Sequence, residues 1–373
     1  MFSVRERTDL FVVGGGPAGL AAAIAARQKE LSVTLADGAE PPIDKPCGEG
    51  LMPDTLEALA ALGIGLPLDA GFRFRGIQFI QRDLHAAADF PQGIGLGIRR
   101  PVLHELLVRK AEECGVRLLW NTPVSGISPE GVLTAAGRVL AARWILGADG
   151  SGSRIRRWSG LEASRLRRQR FAARRHYRVR PWEDHVEIYW GEGAQAYVTP
   201  ISEEEVCIVM IAENAEDARF ERALAGMPEL AERIRDGEQG SRERGAITLM
   251  HALRRVSRGN VALVGDASGG VDAITGEGMR LTFQQATAVA EAIARGDLRI
   301  YEKAHREMLM RPMCMGRLIL QLGRNATVRR RTLRVFAKNP RLFAQMLSIH
   351  VGRATPARVL SAGAQLSWEF LAA

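Results

Sequence analysis

The chain has 373 residues, a formal net charge of +9 and 46% hydrophobic residues, which is enough length and apolar content for about two domains with a buried core. Its four cysteines are scattered without metal-ligand spacing, and no charged-then-apolar leader precedes the first predicted strand. No uncharged apolar run reaches the ~20 residues that span a bilayer. These features argue against a disulfide scaffold, a metal motif and a membrane-spanning protein, and we expect a reduced, cytoplasmic chain.

The positive charge is concentrated in two stretches. Residues 154–180 contain eleven arginines and one acid, and residues 301–373 contain thirteen Lys or Arg and three Glu. Nucleic-acid binding would require such charges on a recognisable module with interleaved aromatics, and because the sequence shows none we expect no nucleic-acid partner. Two interpretations stay open: a solvated basic face, or attraction to anionic lipid, an acidic substrate or a cofactor. The basic C-terminal stretch therefore allows peripheral contact with a membrane surface.

The first third of the chain alternates strands and helices. Short apolar runs with β-branched residues predict strands, and breaker-free or amphipathic runs predict helices. In chain order these are a strand at 10–13, a helix at 17–28, a strand at 31–36, a helix at 53–62, a hairpin at 72–90, a helix at 101–114 and a strand at 116–120. Two strand–helix–strand units of this kind predict one parallel sheet covered by helices.

From residue 171 the pattern changes to strands at short spacing, which is typical of an antiparallel sheet inserted into the α/β domain. These strands are predicted at 171–179, 186–190, 194–199, 206–211 and 244–250. A strand at 261–264 returns to the parallel sheet, a helix follows at 278–295, and the chain from 301 onward is predicted to be helical with interruptions at Pro312 and Pro340. The predicted domains are a discontinuous nucleotide-binding domain (1–71, 91–160, 258–300), an antiparallel-sheet substrate domain (72–90, 161–257) and a helical C-terminal region (301–373).

A glycine-rich turn, Gly-Gly-Gly-Pro-Ala-Gly at 14–19, joins the first predicted strand to the first helix. Gly14 allows the turn, Gly16 lets the backbone approach a pyrophosphate, and Gly19 permits the helix to pack closely on the sheet. Pro17 suits the first helical turn, where its missing N–H would have no partner. The candidate cofactor contacts in this segment are Gly14, Gly16, Pro17, Ala18 and Gly19.

The second predicted strand ends at Asp37, about 20 residues beyond the glycine motif. A carboxylate at this position accepts hydrogen bonds from a ribose diol and favours an unphosphorylated adenosine ribose, as in FAD or NAD. The alternative is a simple turn followed by a solvated acid. Because strand, glycines, helix and acid fall in register, we interpret the segment as a dinucleotide site.

Two further glycine segments follow predicted strands far along the chain: Gly-Ala-Asp-Gly at 147–150 and Gly-Asp-Ala-Ser-Gly-Gly at 265–270. Together with the first turn they predict one dinucleotide site assembled from the start, middle and late parts of the sequence. A purely structural interpretation is that Gly150 and Gly265 end strands while Asp149 and Asp266 cap helices.

With these segments in this order, the chain resembles the flavoprotein monooxygenase superfamily with the para-hydroxybenzoate hydroxylase fold, which contains the geranylgeranyl reductases. The resemblance covers roughly residues 8–300. It implies an α/β fold: a Rossmann-like FAD-binding domain of three-layer β-β-α architecture, interrupted by an antiparallel-sheet substrate domain and followed by a helical C-terminal tail. The FAD contacts that it implies, beyond the first turn and Asp37, are Arg100, Asp149, Gly150, Gly265, Asp266, Gly276, Gly278 and Met279. The middle motif is completed by Ser153 and Arg156, and the helix that opens at Gly278 would direct its dipole at an anionic reduced flavin.

The loop at 45–53, Lys-Pro-Cys-Gly-Glu-Gly-Leu-Met-Pro, resembles the Cys-Gly-rich loop of the geranylgeranyl reductase branch, which lies close to the flavin ring. Cys47 and Gly48 are therefore candidate flavin contacts. Cys47 is either a small apolar wall or a redox partner of the flavin, and Glu49 either a proton donor or acceptor or a solvated acid. The absence of a His after residues 265–267 also favours the reductase branch, whereas Ala273 stands where both branches usually carry Pro.

The resemblance implies two reactions, with NADPH or NADH as electron donor. The first is hydroxylation of an aromatic or lipophilic small molecule through a flavin hydroperoxide, which we favour slightly because that outcome dominates this fold. The second is reduction of a C=C bond in an isoprenoid or other lipid. A third interpretation is a flavin-binding membrane-surface protein without turnover. Candidate substrate-facing residues come from the antiparallel sheet: Tyr189, Trp190, Tyr197 and Thr199.

Overall fold

The protein is described here by a computed structural model that covers residues 7–67, 69–162 and 164–372. Residues 1–6, 68, 163 and 373, which the predicted domains include, lie outside the described residues. The strands are β1 (Thr8–Val13), β2 (Val33–Ala36), β3 (Gly50–Leu51), β4 (Phe72–Phe74), β5 (Gly76–Gln81), β6 (Leu84–Asp89), β7 (Gly95–Gly97), β8 (Arg117–Leu119), β9 (Val124–Ser128), β10 (Gly131–Thr134), β11 (Val139–Gly147), β12 (Ser164–Arg178), β13 (His185–Trp190), β14 (Ala194–Ser202), β15 (Glu205–Ala212), β16 (Glu238–Gln239), β17 (Arg244–Leu253), β18 (Ser257–Arg258), β19 (Val261–Leu263) and β20 (Gly269–Gly270).

The helices alternate with strands in the first part of the chain and follow one another at its end. They are α1 (Pro17–Arg27), α2 (Pro53–Ala61), α3 (Arg100–Glu113), α4 (Arg154–Trp158), α5 (Phe220–Ala225), α6 (Pro228–Arg233), α7 (Gly278–Ala294), α8 (Leu298–Arg324), α9 (Ala326–Lys338), α10 (Pro340–His350) and α11 (Pro356–Ala372). Two short 3₁₀ turns, Gly265–Ser268 and Ala273–Thr275, lie between β19 and α7.

The first sheet is parallel through its centre, in the order β19, β11, β1, β2, β8, with β18 antiparallel at one edge. Helices α1, α3 and α7 bury one face, because their Ala, Leu and Val side chains form one core with β1 and β2. Strands β9 and β10 lie on the opposite face as an antiparallel extension of β11. This arrangement confirms the predicted three-layer β-β-α architecture. It is typical of a parallel sheet, because both faces of such a sheet are shielded from water.

The second sheet has the order β20, β17, β12, β15, β14, β13, β5, β6 and is antiparallel except where β13 pairs with β5. The predicted hairpin at 72–90 is formed by β5 and β6, whereas β4 joins β3 and β7 in a separate small sheet. One face of the second sheet packs on α5 and α6. The other face, which we call the inner face, packs on α8, α9 and α10.

The predicted interruption at Pro312 was wrong, because α8 continues through this residue from Leu298 to Arg324. A proline inside a helix costs about 3 kcal/mol, since its ring removes one backbone hydrogen bond. Burial of the apolar side chains around it, including Leu309, Met313 and Leu320, offsets this cost. Pro340 does end the preceding helix, and it occupies the first turn of α10, where proline is well tolerated.

The C-terminal helices are attached to both sheets. The Tyr301 hydroxyl at the start of α8 donates to the carbonyl of Leu263 at 2.8 Å, which ties this helix to the parallel sheet. Phe336 of α9 and Phe343 of α10 stack with ring centroids 4.7 Å apart over the inner face of the second sheet. Among the described residues, no helix is both long and apolar enough to cross a membrane.

Candidate functional site

A cavity of about 820 Å³ runs between the two sheets and the C-terminal helices. It begins at the N-terminus of α1, where Gly16 lines it, and passes between the loop at 45–50 and the loop at 270–279. It ends among side chains of α8, α9 and α10 on the inner face of the second sheet. The predicted cofactor residues that line this cavity are Gly16, Pro17, Ala18, Cys47, Gly48, Arg100, Gly150, Asp266, Gly276, Gly278 and Met279.

Two helices direct their N-termini into the cavity without a side-chain cap. Helix α1 starts after Gly16 and α7 starts after Glu277, and neither of these two cap residues makes a side-chain hydrogen bond to the first N–H groups of its helix. A Cβ atom at Gly16, Gly48 or Gly278 would find no heavy atom within 4 Å, so the backbone at these positions borders open space. Free N–H groups and the helix dipole favour an anion such as a pyrophosphate at α1 and a reduced flavin at α7. The two helix N-termini and the open backbone around them therefore fit FAD.

The remaining residues of the first motif shape the wall of the site. A Cβ on Gly19 would lie 1.8 Å from the carbonyl oxygen of Gly14, so this glycine permits close packing of α1 on the turn. Asp37 accepts from the N–H of Gly15 at 2.6 Å, which places the predicted ribose acid directly beside the glycine turn. His104 of α3 donates from Nε2 to the Gly15 carbonyl at 2.8 Å, and burial lowers the pKa of His104, which keeps it neutral.

Asp149 does not line the cavity. Its carboxylate accepts from the Ser153 hydroxyl and from the backbone N–H groups of Arg154 and Ile155 at 2.7 and 3.2 Å, so it caps the short helix α4. Arg156 donates to the carbonyls of Ser151 and Ala267 at 2.7 and 3.1 Å and thereby joins the middle and late glycine segments. These contacts fit the structural interpretation of Asp149, and its predicted contact with FAD stays a prediction.

The late segment places Asp266 on the cavity surface, exposed, while Gly265 lies behind it with its N–H donating to Gln285 at 2.8 Å. Ser268 of the same segment lies 2.9 Å from Nε2 of His305 on α8. Burial lowers the pKa of His305 to about 4, so its imidazole is neutral at physiological pH. Helix α8 thus supports the segment that carries Asp266.

The loop at 45–50 places Cys47, Gly48 and Glu49 on the cavity, and the Glu49 side chain is buried. Glu49 accepts from the backbone N–H of Arg100 at 2.9 Å, from Arg174 at 3.2 Å and from His176 at 2.7 Å. These donors occupy both carboxylate oxygens. The contacts show an anchor that holds the loop against α3 and β12, and the acid-base role predicted for Glu49 stays a prediction.

Cys47 has a cysteine neighbour that the sequence does not reveal. The Sγ atom of Cys207 on β15 lies 3.7 Å from the carbonyl oxygen of Cys47, and both thiols are free. Burial raises the pKa of the Cys207 thiol, and the charge of Glu49 acts in the same direction. Cys207 is therefore an unreactive thiol that packs behind the loop.

Two buried arginines on β12 connect the second sheet to the two loops that flank the centre of the cavity. Arg174 pairs with Asp44 at 2.8 Å and with Glu49, in the loop that carries Cys47. Arg170 pairs with Asp272 at 3.0 Å, in the loop that leads to α7, and also donates to Gln195 at 2.8 Å. Sequence reasoning missed both. Their signal was two arginines four residues apart, Arg170 just before the predicted strand at 171–179 and Arg174 within it, a spacing that puts both on one face of an extended strand.

The predicted substrate residues separate onto the two faces of the second sheet. Tyr197 and Thr199 of β14 line the cavity. Tyr189 lies on the opposite face, where its hydroxyl donates to Glu187 at 3.1 Å, so the structure does not bring it to the site. Trp190 packs on the inner face against Phe79, with ring centroids 5.8 Å apart, as part of the core beneath α9 and α10.

The far end of the cavity is apolar. Its wall combines inner-face side chains of the second sheet with side chains from α8, α9 and α10, among them Phe79, Ile188, Ile211, Ile319, Phe336 and Phe343. This end reaches the surface at Leu318 of α8, which lines the cavity although it is 56% exposed. The helices that we predicted as a C-terminal tail are thus a wall of the site, anchored to its centre where His350 donates to the Thr275 carbonyl at 2.8 Å.

Comparison with known proteins agrees with this geometry. Residues 7–309 match the family described as FAD binding domain, so the chain belongs to this family. It is an FAD-dependent oxidoreductase, similar to both reductases and monooxygenases.

Three curated relatives show the range of reactions. A menaquinone reductase of Mycobacterium tuberculosis is 27% identical over 79% of this chain and 79% of its own. A digeranylgeranylglycerophospholipid reductase of Methanothermobacter thermautotrophicus is 26% identical over 83% and 84%. A 6-methylpretetramide 4-monooxygenase of Streptomyces rimosus is 25% identical over 78% and 76%. A flavoprotein/dehydrogenase structure from Cytophaga hutchinsonii shares the fold, with a TM-score of 0.80, 22% identity and 93% of each chain covered.

Proposed function

We propose that this protein reduces a C=C bond in the apolar chain of a lipid, with FAD as hydride carrier and NADH or NADPH as electron donor. The observation that carries the proposal is the apolar end of the cavity, which continues from the Cys47 loop between the second sheet and the C-terminal helices. An isoprenoid chain is long and apolar, and burying it there removes apolar surface from water at about 25 cal/mol per Å². The names of the two reductase relatives agree with a lipid substrate.

Bound FAD would supply the hydride, and the residues of this chain would hold the alkene and exclude water. The Cys47 loop and the loop that begins at Asp272 border the centre of the cavity, and Arg174 and Arg170 hold them in place. Beyond them the wall is mainly aliphatic and aromatic, so an alkene bound there is shielded from solvent. Reduction adds one hydride and one proton across the double bond and oxidises one NAD(P)H.

The exposed side chain of Leu318 supports entry of the lipid from a membrane surface, because it forms an apolar rim where the cavity reaches the exterior. We therefore propose peripheral membrane contact at this rim. Pelleting with anionic liposomes should recover the wild-type protein and lose a variant with Leu318→Asp. Equal recovery of the two proteins would refute contact at the rim.

The reaction is tested by incubating the holoprotein anaerobically with NADPH or NADH and menaquinone that carries an unsaturated chain. Reduction of the quinone ring also adds two hydrogens, so the product is reoxidised in air before mass spectrometry. A mass gain of two hydrogens that persists after reoxidation is the expected result. A product that forms only with oxygen and carries one added oxygen atom would replace the proposal with monooxygenase chemistry.

A matched pair of variants on α8 tests whether the apolar end of the cavity binds the lipid chain. Ile319 lines the apolar end of the cavity, whereas Ile300 lies on the same helix, is exposed and does not line it. Ile319→Trp should narrow the cavity and lower kcat/KM for a long-chain substrate at least tenfold, with unchanged FAD content. Ile300→Trp should match the wild type. Equal activity of the two variants would show that the chain does not bind in this part of the cavity.

A further inference from the structure

Tyr197 lines the cavity and carries a hydroxyl group that no described residue satisfies. The side chain is 9% exposed and lines the cavity, and its oxygen is buried without a hydrogen-bond partner among the described residues. Buried tyrosine hydroxyls usually find a partner, and leaving the hydrogen bond of such a group unmade is unfavourable. The hydroxyl therefore has a free hydrogen bond to offer to a ligand in the cavity.

The surroundings of Tyr197 define what it can bind. Burial raises the pKa of the Tyr197 phenol, and the nearby charges of Arg170 and Asp272 act in opposite directions. These two side chains form an ion pair at 3.0 Å, so their charges largely compensate each other. The phenol thus stays protonated and acts as a neutral donor, which suits a neutral acceptor oxygen better than a cation.

A second hydroxyl on the same wall has the same property. Thr248 of β17 lines the cavity, and its Oγ1 is buried without a partner among the described residues. Thr248 is paired in the sheet with Arg170 of β12, the arginine whose charge acts on Tyr197. Strands β12 and β15 lie between Thr248 on β17 and Tyr197 on β14, and the row of paired residues that contains Tyr197 reaches β17 at Arg244, four residues from Thr248. The two hydroxyls therefore belong to different parts of the cavity wall.

We infer that Tyr197 binds a neutral carbonyl oxygen on the head of the lipid substrate. The substrate class is then a lipid with a carbonyl-bearing head joined to an unsaturated apolar chain, and Tyr197 determines specificity for the head. This inference rests on the proposed function for the reaction but not for the binding step.

Binding of a head without a chain isolates the contact. The probe is 2-methyl-1,4-naphthoquinone, added under air and without NAD(P)H to the oxidised holoprotein, and binding is followed by the change in the flavin absorption spectrum. Tyr197→Phe removes only the hydroxyl and should raise the Kd about tenfold, which corresponds to about 1.4 kcal/mol.

Tyr189→Phe is the matched control, because Tyr189 lies on the neighbouring strand and faces the opposite side of the sheet. It should leave the Kd of the probe unchanged. All variants should keep wild-type FAD content, which separates a binding effect from misfolding. Equal Kd values for Tyr197→Phe and the wild type would overturn the inference.

The outcome separates this inference from the proposed reaction. If menaquinone gains two hydrogens in its chain but Tyr197→Phe binds the probe like the wild type, only the head contact is refuted. If the chain is not reduced but probe binding still depends on Tyr197, the head contact stands and the reaction must be reassigned. In turnover, Tyr197→Phe should raise KM more than it lowers kcat, since the contact lies on the head and not on the reacting bond.

Discussion

His305 should make the stability of the protein depend on pH in a way that one substitution removes. The imidazole is buried at 5% exposure on α8 and lies 2.9 Å from the Ser268 hydroxyl, in the segment that carries Asp266. Burial lowers the pKa of His305 from an ordinary 6.5 to about 4, while the charge of Glu302 partly opposes the shift. The unfolded chain therefore takes up a proton in a pH range where the folded protein does not.

The magnitude follows from linkage. Above the ordinary pKa, His305 is neutral in both the folded and the unfolded protein, and its contribution to the free energy of unfolding is fully present. This contribution is lost as the pH falls from about 6.5 toward about 4. Between about pH 7.5 and about pH 5 the loss is about 2 kcal/mol of unfolding free energy. His305→Gln keeps an N–H donor for Ser268 and cannot titrate, so it should remove this part of the pH dependence.

The assay is urea unfolding of the holoprotein and of His305→Gln at about pH 7.5 and about pH 5, followed by far-UV circular dichroism. All other titrating groups are common to both proteins, so the difference between the two pH effects isolates His305. The variant should lose about 2 kcal/mol less than the wild type on acidification. The same loss in both proteins would show that the imidazole titrates normally, which would contradict its buried contact with Ser268.

Two further predictions use buried or glycine positions away from His305. Burial raises the pKa of Glu187 from an ordinary 4.5 to about 7. The contribution of Glu187 to the free energy of unfolding is therefore fully present below about pH 4.5 and is lost as the pH rises through about 7. Glu187→Gln should therefore stabilise the protein by up to about 3 kcal/mol near pH 8 and have no such effect near pH 4.5, measured by urea unfolding; equal effects at the two pH values would exclude a titrating Glu187. Gly16→Ala should weaken FAD binding at least tenfold while the apoprotein keeps its stability, because the added Cβ meets open space. Gly14→Ala should instead destabilise the apoprotein by more than about 2 kcal/mol, because Gly14 has a φ of +114° and an added Cβ would lie 2.4 Å from the Ala148 oxygen. FAD titration and apoprotein unfolding together distinguish the two cases. Identical behaviour of the two variants would refute their separate roles.

Features encoded within short segments could be predicted from the sequence. The first glycine turn, the helix after it and Asp37 lie close together in the sequence. The structure places Asp37 in contact with this turn, as the motif predicted. Each glycine segment follows a strand of the parallel sheet, and this order was sufficient to predict a shared site. The hairpin of β5 and β6 and the antiparallel strands likewise follow from alternation and turn residues.

The face on which a strand residue lies could not be predicted for the central strands. Residues of β14 from Ala194 to Pro200 are all buried, so alternation between apolar and polar residues does not reveal the inner face. The strand register determines the face of each residue, because directly paired residues share a face. Tyr197 pairs with Ile188, whereas Tyr189 pairs with Ala196. A register depends on pairing between distant segments and is not a local property.

Contacts between distant segments were also missed. Arg170 and Asp272 are 102 residues apart, and Arg174 and Glu49 are 125 residues apart, so no window of sequence contains either pair. The C-terminal helices were predicted as helices, but their place as a wall of the cavity depends on the core that Phe336 and Phe343 share with the second sheet. Neither feature has a signature in local spacing.

The two arginines of β12 also bear on how the second sheet finds its correct alignment. A slip of one residue in the pairing of β12 would send Arg170 and Arg174 to the opposite face, where α5 and α6 lie. Both arginines would then be buried away from Asp272, Asp44 and Glu49, and breaking a buried ion pair costs about 3–5 kcal/mol. The charged pairs therefore disfavour misaligned sheets during folding, in a sheet whose apolar residues on both faces would otherwise tolerate them.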